Sequence, residues 1–153
     1  MDHNPTSTPS QTQPQPDTSE PCNPSLCTVH VCTSCRPPGT AREPEENRPG
    51  FRLFHKLREA FEARELGSLV HVKPTSCLSL CPRPCALALS MPGSWTYLFG
   101  DQDPEATLHD VVTCVSLYLE SPKGFMARGE RPRTLRGSIL GRVPPLEEGV
   151  SCI

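Results

Sequence analysis

Nine cysteines stand at positions 22, 27, 32, 35, 77, 81, 85, 114 and 152 of the 153-residue chain. Five of them fall in two short runs, Cys32-x2-Cys35 and Cys77-x3-Cys81-x3-Cys85. Intervals this short let two thiolates of one loop turn toward a common ion, and two such loops supply the four corners of a tetrahedral or cluster site. The odd count forbids complete pairing. The opening Met1-Asp2-His3-Asn4-Pro5 has neither the basic start nor the apolar run of a secretory leader, so a reducing compartment, the cytoplasm, is expected. Clustered cysteines there bind metal or do redox chemistry more often than they form a disulfide scaffold.

The elements that must position these thiols follow from periodicity. Residues 28–32 (Thr-Val-His-Val-Cys) are β-branched and alternating, as a strand would be. Phe51, Phe54, Leu57 and Phe61 recur at spacings of three and four, which predicts a helix over residues 50–65 stopped by Gly67. Residues 69–72 read as a second strand. Residues 86–91 and 95–99 flank Pro92-Gly93-Ser94 as a hairpin. Asp103 at an N-cap and Pro104 at a first helical position open a second helix, buried through Leu108, Val111, Val112, Val115 and Leu119. The order is β-α-β and then β-β-α, an α/β domain over residues 29–120.

Residues 1–28, with six prolines among Ser, Thr, Gln and Asn, read as a disordered low-complexity tail. Residues 121–153 read as a proline-interrupted, irregular and basic extension. Its arginines, among them Arg128, Arg131, Arg133, Arg136 and Arg142, suit a solvated segment packed on the domain better than a docking site for an acidic partner or a phosphate.

A right-handed β-α-β crossover makes its two strands parallel. The loop after the first strand, carrying Cys32 and Cys35, then emerges at the same sheet edge as the loop carrying Cys77, Cys81 and Cys85. An antiparallel third strand returns Cys85 to that edge as well. Strand direction alone therefore brings five thiols together.

From the residues, three chemistries are open for this convergence: an iron–sulfur cluster, a zinc site, or a redox dithiol at Cys32 and Cys35. The dithiol ranks lowest, because a long loop separates it in sequence from the helix whose N-terminus would lower a thiol pKa. A local zinc site on Cys22, Cys27, Cys32 and Cys35 is a weaker variant of the second. Cys114 falls on the apolar face of the second helix and reads as core, and Cys152 as unligated. No histidine lies in the cysteine loops, which argues against a Rieske-type centre. Trp95, Tyr97 and Phe99 alternate along one strand as core residues. The apolar runs are too short to span a bilayer, and a net charge of −2 gives no reason to expect nucleic acid or a membrane surface as partner.

The stretch from Cys77-Leu-Ser-Leu-Cys81 through residues 86–89, Pro92-Gly93, Trp95-Thr96-Tyr97 and Asp103-Pro104 resembles the C-terminal half of thioredoxin-fold 2Fe–2S ferredoxins. Val31-Cys32-Thr33-Ser34-Cys35-Arg36, the run to Cys85, residues 95–101 and Arg142-Val143-Pro144-Pro145 resemble, more closely, an uncharacterised bacterial family. Its members are small predicted metal-binding proteins often encoded near CobW-type cobalamin-pathway GTPases. The resemblance covers about residues 29–146 and implies a thioredoxin-like fold. It also implies a 2Fe–2S cluster on Cys32, Cys35, Cys77 and Cys81, with Cys85 as an alternative ligand, and one-electron transfer with no substrate chemistry. The implied partner is a redox or metal-delivery protein, such as a CobW-type GTPase or a cobalamin-pathway enzyme. A zinc- or cobalt-binding metallochaperone or interaction module is the alternative, and a thiol–disulfide oxidoreductase the third reading. One departure stands out: the ferredoxins place their second ligand just before the first helix, where this chain has no cysteine between Arg36 and Gly50.

Overall fold

The structure, a computed structural model, describes residues 27–147. Five strands form one sheet in the order β2-β1-β3-β4-β5: β1 (Cys27–Cys32), β2 (Val70–Thr75), β3 (Leu87–Ser90), β4 (Thr96–Phe99) and β5 (Ile139–Val143). The helices are α1 (Pro49–Ala63), α2 (Leu108–Glu120) and the short α3 (Arg133–Gly137). β1 runs parallel to β2 and antiparallel to β3, and β4 and β5 continue the antiparallel meander. The fold is thioredoxin-like, as expected.

Alternation in β1 sends Cys27, Val29 and Val31 to one face, where registered neighbours Val70, Val72, Leu87 and Leu89 join them, followed across the sheet by Tyr97 and Phe99. α1 and α2 cover that face and touch each other. Pro49 opens α1, where a missing N–H costs nothing, and Leu53, Phe54, Leu57 and Phe61 are its buried side chains. Phe51 is half-buried instead, its ring edge-on to His55 at 4.5 Å.

Helix ends depart from expectation for local reasons. α1 stops at Ala63 rather than beside Gly67 because the left-handed residue is Glu65 (φ 59°), and the Leu66 amide closes back on the Phe61 carbonyl at 3.1 Å. Asp103 does cap a turn, its Oδ1 accepting the amides of Glu105 and Ala106 at 2.8 Å each, but α2 proper begins at Leu108. Tyr118, absent from the expected apolar face, is fully buried on α2 and donates to the Trp95 carbonyl at 2.6 Å.

At the chain ends the sheet takes more than its sequence suggested. Cys27 and Thr28 belong to β1, while residues 1–26, expected as a disordered tail, lie outside the described residues. Beyond Ser121 the chain adds β5 to the sheet and Met126 and Leu135 to the core. The prolines do not interrupt this, because they fall between elements: Pro132 caps α3, and Pro144-Pro145 follow β5. Two basic side chains of this stretch are engaged locally. Arg136 donates to the carbonyls of Arg131 and Gly129, and Arg142 stacks on Trp95 and Phe125 at 5.1 and 5.3 Å from their ring centres. No helix among the described residues is long and apolar enough to cross a membrane.

Leu57 is fully enclosed between α1 and the sheet. Leu57→Ala should lower the unfolding free energy by about 2–5 kcal/mol, read as a fall in denaturant midpoint at unchanged slope.

Candidate metal centre

The turn after β1 is fastened on both sides. The Cys32 amide donates to the Ala86 carbonyl at 3.0 Å, and the Thr33 amide donates to the Thr75 carbonyl at 2.9 Å, so residues 32–33 sit between the exit of β2 and the entry to β3. The Cys32 sulfur lies 3.8 Å from the Ser76 carbonyl, 44 positions away in sequence. Cys32, Cys35, Cys77 and Cys81 line one cavity of about 630 Å³, together with residues 36–39, Ser34 and Pro82. The two loops therefore meet. They meet unequally, since Cys32 and Cys35 are 3% and 6% exposed while Cys77 and Cys81 are exposed to solvent.

The start of α1 also reaches this turn. Sequence separation had argued against helix influence on Cys32 and Cys35, yet the loop over residues 36–48 is an excursion whose end returns to its beginning. The Gly50 amide points at the Cys35 carbonyl at 3.5 Å. A Cβ on Gly50 would stand 2.1 Å from the Cys32 carbonyl oxygen and 3.1 Å from Cys35 Cβ. Only glycine permits so close a packing of helix against turn.

The environment of the two inner thiols separates their acidities. The Cys35 thiol and the amides of Leu78, Ser34 and Cys35 lie near the Cys32 sulfur and favour its charged form. These donors outweigh desolvation and bring Cys32 down to about 6. Cys35 is pushed up, first by the Cys32 sulfur beside it and then by burial. Cys77 is engaged inside its own loop, where the Ser79 amide donates to its sulfur at 3.2 Å and Ser79 takes a left-handed φ of 57°.

The donor set suits a sulfur-ligated centre: four cysteines on two loops around one cavity and no competing histidine or carboxylate in its lining. Among the described residues, however, no three His, Cys, Asp or Glu side chains are gathered closely enough to hold a single ion. The Ser79 amide that donates to the Cys77 sulfur is a donor of the kind that ligating thiolates accept.

The remaining cysteines lie elsewhere. Cys85, the alternative ligand, is buried with a left-handed φ of 56° and lines a separate pocket with Pro49, Arg52 and Gln102, its thiol pushed up to about 11 mainly by burial. Cys27 and Cys114 are core residues whose thiols burial raises to about 12. Cys27 and Cys32 occupy opposite ends of β1, five steps of about 3.3 Å or roughly 16 Å apart, so the local zinc site that paired them is excluded. Cys22 and Cys152 lie outside the described residues. His30 is half-buried on the sheet and shares a hydrogen bond with Ser90 at 3.2 Å, remote from the cavity lining. Sequence reasoning missed the amide donors at Leu78 and Ser34 and the return of Gly50; Pro49-Gly50 at a helix start was the one visible signal for the latter.

A thioredoxin-like sheet with two cysteine loops at one edge defines the class. The backbone is similar to a solved structure of a thioredoxin-like [2Fe-2S] ferredoxin from Aquifex aeolicus, at 20% identity over 79% of this chain and 96% of that one, with a TM-score of 0.52. A second structure, of the wild type of that ferredoxin, is similar at 22% identity over 76% and 98%, with a TM-score of 0.50. At such identities the likeness is one of fold. By sequence, the chain belongs to the family described as Protein of unknown function (DUF1636), whose pattern matches residues 29–145. No curated protein matches it.

Two expectations follow from this geometry. In metal-free protein, ultraviolet thiolate absorbance should show one group ionising near pH 6, lost in Cys32→Ser and shifted upward in Cys35→Ser. Its thiolate, favoured by the fold, contributes stability that is present above the unfolded thiol's pKa and disappears as pH falls through 6. Gly50→Ala should cost roughly 1–3 kcal/mol by overpacking, seen in thermal melts, and should raise the Cys32 midpoint by displacing the turn.

Proposed function

We propose that this protein is a cysteine-ligated metal-binding protein that holds a 2Fe–2S cluster on Cys32, Cys35, Cys77 and Cys81 and passes single electrons to a protein partner. The observation that carries the reading is the single cavity lined by those four cysteines from two loops distant in sequence. The donor set supports it, since four thiolates are the usual ligands of such clusters. The ferredoxins that share the fold carry [2Fe-2S] in their descriptions, which supports it further. A bound cluster would supply one-electron chemistry at a potential set by its ligands, the hydrogen bonds to their sulfurs and its burial.

The chain's own residues divide the remaining work. The amides of Leu78, Ser34 and Cys35 place positive dipole ends at the Cys32 sulfur and so stabilise negative charge on the inner side of the site. Gly50 lets α1 back the turn without a side chain between them. Cys77 and Cys81, exposed, leave the outer side within reach of another protein. The partner in this reading exchanges electrons or metal with the centre, and the family resemblance suggests a CobW-type GTPase or cobalamin-pathway enzyme.

One observation favours a second reading. The buried Cys32–Cys35 pair with the start of α1 closed against it, which goes with a lowered Cys32 pKa, is a feature of a redox dithiol, so thiol–disulfide exchange is stronger than sequence distance implied.

Reconstitution with ferrous iron and sulfide without air separates these. The expected product is brown, bleached by dithionite and EPR-active when reduced, with iron and sulfide in equal amounts. Cys77→Ser and Cys81→Ser should each abolish it, and Cys114→Ala should retain it. Colourless protein carrying zinc or cobalt would overturn the cluster in favour of a metallochaperone or interaction module. Metal-free protein cycling Cys32 and Cys35 between dithiol and disulfide would favour the oxidoreductase.

A further inference from the structure

Among the described residues three cations, Arg52, Lys56 and Arg83, reach a carboxylate. Arg52 and Lys56 share the Glu105 carboxylate, and Arg83 pairs with Asp101. Arg136 donates to two carbonyls, and Arg142 lies over two aromatic rings. Arg36, Arg42 and Arg48 are set apart by position, since they gather around one concavity. With Ser34 they are the whole lining of a cavity of about 190 Å³ beside the cysteine site, and among the described residues no carboxylate lies within salt-bridge distance of any of the three.

This is not for lack of nearby acid. Glu43, Glu45 and Glu46 occupy the same segment, yet what Glu43 offers Arg48 is its backbone carbonyl, which accepts from Nε at 3.0 Å. Arg36 is held the same way, Nη1 donating to the Thr40 carbonyl at 2.9 Å. Neutral acceptors orient these two guanidinium groups and leave their charge uncompensated. The first turn of α1, which begins just after Arg48, carries no acidic side chain either. Three like charges around one concavity repel each other, and the acidic side chains of the segment form no ion pair with them.

We propose that this cavity is an oxyanion site for a phosphoryl group, either free phosphate or a phosphomonoester. The planar guanidinium fork matches phosphate oxygens in pairs, and three forks with one hydroxyl can surround a tetrahedral anion. A small concave lining suits a group of that size better than the broad face of an acidic protein would. Ser34 and Arg36 also line the cysteine cavity, so the bound anion would stand next to the thiols and offset positive charge beside them. The anion site does not depend on which metal the cysteines carry.

The test titrates the full-length protein with inorganic phosphate at constant ionic strength, by calorimetry and by amide chemical shifts. Saturable binding is expected, with shifts at Ser34, Arg36 and residues 42–48. Arg42→Ala with Arg48→Ala should weaken it at least tenfold without moving the melting temperature, and Arg128→Ala, on an exposed residue elsewhere, should leave it unchanged. Arg42→Lys with Arg48→Lys keeps the charge but loses the forks, and should still weaken binding severalfold. A parallel titration with phenyl phosphate distinguishes the sources: tighter binding than phosphate identifies an ester as the ligand, equal or weaker binding the free ion. Chloride reproducing the response, phosphate binding unaffected by the arginine variants, or hexaglutamate binding where phosphate does not would each overturn the proposal, the last by making the patch a protein-docking face.

Discussion

The parallel pairing of β1 with β2 is the constraint on which the cysteine site depends. Strands joined through a crossover helix leave the sheet in the same direction, so the turn at Cys32 and the loop after Thr75 must emerge side by side. The ladder continues one step past the strands, through the Thr33 amide and the Thr75 carbonyl, and it holds the two exits at hydrogen-bonding distance. β3, antiparallel to β1, then pins the same turn from its other flank through Ala86. A one-residue slip in the β1–β2 register would send Val29 and Val31 out of the core as surely as it would separate the loops. Burial of the apolar face and assembly of the site are thus enforced by the same register.

That shared dependence explains the asymmetry within the site. Cys32 and Cys35 stand where β1 ends, between two strands and beneath the start of α1, and they are buried because the sheet is. Cys77 and Cys81 stand on the loop that must leave the sheet and come back as β3, and they are exposed because the loop is. Acidity follows burial and donors together. Cys32 is drawn down by a thiol and three amides despite its desolvation, whereas Cys85, Cys27 and Cys114, buried without such donors, move the other way.

Periodicity made much of this legible. The alternation at residues 28–32 and the three-four spacing of Phe54, Leu57 and Phe61 located β1 and α1, and chirality of the crossover then brought the two cysteine loops together before any coordinates. Less accessible were features set by distant contacts. β5, with Leu140 and Gly141 between Ile139 and Arg142, has no clean alternation because it is an edge strand, and the β4 partner that makes it a strand is forty residues away. Cys27 read as tail because its neighbours are prolines and serines; Val70 and Cys114 are what bury it. The direction of the Cys77 sulfur rests on a left-handed Ser79, a residue whose type gives no warning of positive φ.

The return of α1 to the Cys32–Cys35 turn connects these points. In sequence, fourteen residues stand between Cys35 and Gly50, and by chain distance the helix end has no influence on the thiols. Loop length, though, costs little entropy once the ends are fixed, since closure grows only logarithmically. The ends here are fixed by packing: the buried face of α1 must lie on β1 and β2, which carries its first turn to the C-terminal edge of β1. The excursion between them need not be short, and it is filled with proline, glycine, three arginines and three glutamates. A loop that by chain distance would detach the helix from the cysteines instead places three arginines at their margin, while glycine at position 50 lets the helix start close on the turn.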